Sequence, residues 1–119
     1  MPDNIINNKS MDFAVRIVEL YNSMLENKKE RILATQILRS GTSIGANVRE
    51  SINAASKKDF VNKMNIALKE ANETEYWLEL LYKTKQLNMR EFESIMQDCK
   101  EIVKILVAII KKAKTTIEN

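Results

Sequence analysis

The residues best suited to chemistry in this chain are two carboxylates one helical turn apart, Glu70 and Glu73. On a helix facing an interior, Glu-x-x-Glu invites a carboxylate metal reading, as in the di-iron bundles. Those sites use Glu-x-x-His pairs, and this chain has no histidine. A magnesium or calcium site needs only oxygen ligands, but Arg39 and Arg49 fall close by in the expected packing and oppose a cation. Nucleophilic chemistry also lacks its parts. Ser40, Ser43 and Ser51 have no histidine base, and the single Cys99 has no evident cationic partner to lower its pKa. These patterns favour structural salt bridges over a metal site, call for no cofactor, and argue against an enzyme.

Holding those carboxylates in place is a task for helices. The 119 residues amount to one domain, 45% hydrophobic and 29% charged, as is ordinary for a globular protein. Two glycines and one proline leave little material for turns and sheets, so the expected fold is all-α. Ile37, Gly41, Ile44, Val48, Ile52 and Ala55 recur at steps of four and three, as do Phe60, Met64, Ala67, Ala71, Thr74, Leu78 and Leu81. That period is the seam of a left-handed bundle. Beside it, one residue earlier, run Gln36, Ser40, Ser43, Asn47 and Glu50 on one helix, and Ile66, Glu70, Glu73, Trp77 and Leu80 on the other.

Ser56-Lys57-Lys58-Asp59 has the spacing of a capping box. A hairpin folded about Ser56 sets level those residues whose numbers add to roughly 113. Ser43 then meets Glu70, Arg39 and Ser40 meet Glu73, and Gln36 meets Trp77. Half-buried carboxylates need donors, and Arg39, Ser40, Ser43 and Asn47 are the local ones. Arg39, Ser43, Asn47, Glu50, Glu70, Glu73 and Trp77 are therefore expected to form a structural polar network. Gly41 and Gly45 each cost about 1 kcal/mol inside a helix. The heptad runs through both, which predicts a continuous helix with close packing. A phosphate loop would need a Gly-Lys-Ser/Thr ending.

The remaining chain supplies two further helices. Residues 1–9 read as a loosely ordered leader, with Ser10 as N-cap of a first helix burying Ala14, Ile17, Val18, Tyr21, Met24 and Leu25. The second helix is expected over 30–55 and the third over 57–84. Asn88 and Glu91 repeat the capping-box spacing before a fourth helix, whose seam runs from Phe92 through Ile95, Cys99, Ile102 and Leu106 to Ala113. Three short connections imply an antiparallel up-down-up-down four-helix bundle. Between Ile102 and Ile110 only Lys104 is polar. With Ile66, Trp77 and Leu80 outside the third seam, the apolar surface exceeds one core and predicts self-association.

Charge favours one end of such a bundle. Lys9, Lys57, Lys58, Lys63, Lys111, Lys112 and Lys114 gather there against Asp12, Asp59 and Glu118, an excess of about four beside a whole-chain net charge of +3. A basic rim attracts RNA or DNA through phosphate neutralisation. Lysines in last turns also serve the helix dipole and solubility. The basic-end reading takes Lys57, Lys58, Lys63, Lys111, Lys112 and Lys114 as the nucleic-acid contacts; the alternative is a protein assembly module. A lone cysteine and the absence of a signal-peptide pattern or membrane-length apolar run point to the cytoplasm.

The same residues carry a family resemblance. Arg39-Ser40-x-x-Ser43-Ile44-x-x-Asn47-x-x-Glu50, Ser56-x-x-Asp59-Phe60, and Ala67-Leu68-Lys69-Glu70-Ala71-x-Glu73-Thr74-x-x-Trp77-Leu78 resemble the bundle proteins encoded in intervening sequences of bacterial 23S rRNA genes. The resemblance spans nearly the whole chain and implies a free-standing protein with no established enzymatic activity. It extends to the accessory protein of diversity-generating retroelements, a bundle that forms a pentameric ring and binds nucleic acid and a reverse transcriptase. By that likeness a homopentamer is expected, with the polar network contributing subunit contacts and a nucleic-acid enzyme as a partner.

Overall fold

Alternating steps of four and three place Ile37, Gly41, Ile44, Val48 and Ser51 on one buried line, and Val61, Met64, Ala67, Ala71, Thr74, Leu78 and Leu81 on the line it faces. In the computed structural model, which describes residues 2–118, these belong to the middle pair of four helices: α1 (Pro2–Glu26), α2 (Arg31–Ile52), α3 (Lys57–Lys83) and α4 (Met89–Glu118). Each helix packs on the next in the chain, and α4 closes more sparsely on α1. The result is an antiparallel up-down-up-down four-helix bundle measuring 51 × 21 × 21 Å. Among the described residues there is no strand, and no helix is long and apolar enough to cross a membrane.

Residues 2–9 are helix rather than leader. Ile6 is fully buried, one seam step ahead of Ser10, Phe13 and Ile17, so the core period extends the helix upstream. Ser10 is consequently interior: its hydroxyl donates to the Asn7 carbonyl at 3.2 Å and caps nothing. Phe13 joins the core, whereas Val18 is 41% exposed. At the end of α2 the strict alternation selects Ser51, whose hydroxyl donates to the Val48 carbonyl at 2.6 Å, in place of Ile52. The helix stops at Ile52, short of the expected 55, because the Asn53 and Ala54 amides each donate to a carbonyl only three residues back, at 3.2 Å. Ala55 is therefore exposed.

The two helical glycines allow α1 to approach. A Cβ at Gly41 would stand 2.8 and 2.9 Å from the Cγ1 and Cγ2 atoms of Ile17, and one at Gly45 would lie 3.3 Å from the Ser10 carbonyl oxygen. Neither glycine has a positive φ, so α2 is continuous. At the Ser56 turn the hydroxyl accepts from the Asp59 amide at 3.1 Å. Asn88 does the same for Glu91 at 2.8 Å, and its own amide nitrogen donates to the Glu91 carboxylate.

Helices α1 and α3 end alike. The Lys29 amide donates to the Met24 carbonyl (2.8 Å) and the Lys28 amide to Leu25 (3.2 Å); the Gln86 amide donates to Leu81 (2.8 Å) and the Lys85 amide to Tyr82 (3.0 Å). Both are Schellman endings, which place one residue in the left-handed region that glycine favours. Here lysine occupies it, Lys28 at φ 54° and Lys85 at φ 66°, at a cost of roughly 1–2 kcal/mol each. The Gln86 side-chain oxygen accepts from the Glu30 amide at 3.2 Å, joining the two loops.

Candidate functional site: a polar seam and a lysine end

The hairpin register brings Arg39 to Glu73, as its arithmetic predicts. Arg39 reaches across from α2 and splits its guanidinium between two carboxylates: Nη1 donates to Glu70 Oε2 at 3.1 Å and Nη2 to Glu73 Oε1. Trp77 Nε1 donates to the same Glu73 oxygen at 3.2 Å. Under this layer Thr74 donates to the Glu70 carbonyl at 2.8 Å, and its hydroxyl lies 2.9 Å from that of Ser40, both fully buried. Roughly two to three turns nearer the Ser56 turn, Lys63 pairs with Glu50 at 2.9 Å.

Two expected donors act elsewhere. The Ser43 hydroxyl donates to the Arg39 carbonyl at 2.6 Å and the Asn47 amide to the Ser43 carbonyl at 2.9 Å. Short side chains on a helix can reach the carbonyl four residues back, and that local bond replaces any bond to Glu70. Lys63 likewise moves from the expected lysine set into the α2–α3 network. Arg49 does not approach the carboxylate pair; its Nε donates to Asn7 Oδ1 at 3.2 Å.

The electrostatics of the seam follow its hydrogen bonds. The Arg39 hydrogen bond, then that of Trp77, holds the Glu73 carboxyl below its ordinary value of 4.5, and the Glu73 bond raises Arg39. No group of three or more His, Cys, Asp or Glu side chains among the described residues is arranged to hold a metal. Cys99 is buried, its thiol donating to the Ala71 carbonyl at 3.5 Å, and burial pushes it up to about 12. A neutral, enclosed thiol packs; it does not react.

The register of α3 on α4 is fixed by the Cys99–Ala71 bond, the Lys100–Glu75 pair at 3.6 Å and the stacked rings of Tyr82 and Phe92. It brings Lys57 and Lys58 level with Lys111, Lys112 and Lys114. All five are exposed. Lys9, also expected at this end, is held by Glu101 at 2.7 Å, and that bond raises its pKa. Sequence reasoning missed the ties on the other flank, where Arg16 donates to Asp98 and to Ser94, both at 2.7 Å. Their separation of about eighty positions is beyond any hairpin register.

Fold and polar seam together define a helical-bundle protein with a half-buried arginine–dicarboxylate bridge. The family model of 23S rRNA-intervening sequence proteins matches residues 2–108, and the chain belongs to that family. It is similar to a crystal structure of a protein of unknown function from the S23 ribosomal protein family of Bacteroides thetaiotaomicron. The two are 58% identical with a TM-score of 0.91, over 93% of this chain and 99% of that one. No curated protein matches.

Proposed function

We propose that this protein is a non-enzymatic, cytoplasmic ring, a homopentamer by the family likeness, that binds structured RNA or DNA through its basic end as accessory to a nucleic-acid enzyme. The observation that carries the nucleic-acid reading is the convergence of Lys57, Lys58, Lys111, Lys112 and Lys114 at one end of the rod. Carboxylates nearby hold Lys63 and Lys9. Exposed lysines on adjacent helix ends suit phosphate neutralisation, which is insensitive to base sequence.

Self-association is supported by exposed apolar side chains at helical spacing, Met11, Val15 and Val18 on α1, with Ile66 and Tyr76 on α3 and Val107 on α4. Closed symmetry would cover such faces in every copy. The Arg39, Glu70, Glu73 and Trp77 bridge lies on the outer edge of the α2–α3 seam, where it can serve fold and subunit contact together.

The test is binding of purified protein to structured ribosomal RNA fragments and duplex DNA across a salt titration, beside a variant with those five lysines changed to glutamine. The expected result is binding that weakens with salt, with a shallower salt slope in the variant. Absence of binding even at low salt would leave a protein assembly module as the better reading. A monomeric mass at micromolar concentration would remove the ring.

A further inference from the structure

At the end of the rod opposite those five lysines, the α1–α2 and α3–α4 loops enclose a cleft of about 730 Å³, within the range of small-molecule sites. Its floor is apolar, formed by Leu20, Met24, Leu87 and Tyr82, with Met89 at the margin. Lys29, Lys83 and Lys85 stand around it. Among the described residues no carboxylate pairs with Lys29 or Lys85, and Lys83 only approaches Glu79, at 3.9 Å. The single carboxylate in the lining, Glu91, already accepts from Asn88.

Two further features suggest a ligand. Lys85 is one of the two left-handed lysines, and the other, Lys28, directly precedes Lys29. Glycine would remove the strain at both positions, but it would also remove the charge. The cleft's amides are half spent. Asn27 uses its nitrogen on Ser23, leaving its oxygen, while Gln86 uses its oxygen on the Glu30 amide, leaving its nitrogen. A neutral acceptor and donor beside an apolar floor suit the edge and face of a nucleobase, and the lysines suit the phosphate attached to it.

We propose that this cleft binds a nucleoside phosphate, its base against Met24 and Tyr82 between the Asn27 and Gln86 amides and its phosphate held by Lys29 and Lys85. The ligand is either a free nucleotide or an unpaired nucleotide of a strand. The site is independent of the lysine end and does not require a ring.

Calorimetric titration with AMP, adenosine, inorganic phosphate and a short oligoadenylate tests it. AMP should bind about tenfold or more tightly than adenosine or phosphate alone, since each lacks one half of the contacts. Lys85→Gly should melt higher than the parent, by relief of the left-handed strain, yet bind AMP about tenfold more weakly. The oligoadenylate binding more tightly than AMP assigns the site to a strand; equal or weaker binding assigns it to the free nucleotide. No heat with AMP at millimolar concentration, equal affinity for AMP and phosphate, or unchanged affinity in Lys85→Gly overturns the proposal. The variant neutralised at Lys57, Lys58, Lys111, Lys112 and Lys114 should keep AMP binding. Loss of binding there would place the nucleotide at the other end and overturn it as well.

Discussion

Helices α2 and α3 meet through a buried apolar seam and a buried pair of hydroxyls, whereas α1 and α4 are tied at their rims by ion pairs that water reaches. Ser40 and Thr74 are fully buried, while Arg16 and Asp98 keep 37% and 49% of their side-chain surface. A shorter bond is not the stronger one: Arg16–Asp98 is 2.7 Å and Ser40–Thr74 is 2.9 Å. What differs is what breaking costs. A buried hydroxyl without a partner loses its bond and finds no water, while an exposed ion resolvates.

The largest expected effect follows from that contrast. Ser40→Leu adds volume at a wholly buried position and takes away the hydroxyl beside Thr74. The loss should be about 3 kcal/mol in chemical denaturation; a loss below about 1 kcal/mol would mean the seam repacks freely. A middle effect is expected at Glu73, which lies between the two regimes. Its carboxyl is held below the ordinary 4.5, so its contribution is complete above that value and disappears as pH falls through the lowered one. Glu73→Gln should therefore melt below the parent near neutrality, with the gap closing on acidification. A gap of constant size across the acid range would show that the Arg39 bridge is not what Glu73 contributes. The smallest effect should be at Arg16. Arg16→Ala should cost about 0.5 kcal/mol at low salt, less as salt rises, and a loss several times greater would put the rim on a par with the seam.

The seam was legible in the sequence because antiparallel helices on a short turn obey simple arithmetic. Once Ser56 is recognised as a cap, Arg39 must meet Glu73; Ser40, expected beside Glu73, bonds instead to Thr74, one residue on. The same arithmetic mistook the local bonds of Ser43 and Asn47, since a side chain that can reach its own helix does so regardless of register. The upstream extent of α1 was hidden for a different reason. Asn4, Asn7 and Asn8 have weak helix propensity, and only the burial of Ile6 against the other helices overrides it. The paired left-handed lysines left no mark at all. Lys28 and Lys85 stand where glycine is the usual signal, so the endings of α1 and α3 could be placed only within a residue or two, and the cleft between them not at all.

The order in which the helices meet also sets a kinetic character. Because each helix packs on its successor across a short turn, most of the structure joins segments close along the chain. Among the described residues the longest closure is α1 on α4, where Arg16 and Asp98 are 82 positions apart. The entropy of closing a loop grows with its length, and folds dominated by near neighbours assemble quickly. A nascent chain can complete the α1–α2 hairpin while α4 is still being synthesised, exposing the apolar face of that hairpin until the last helix arrives.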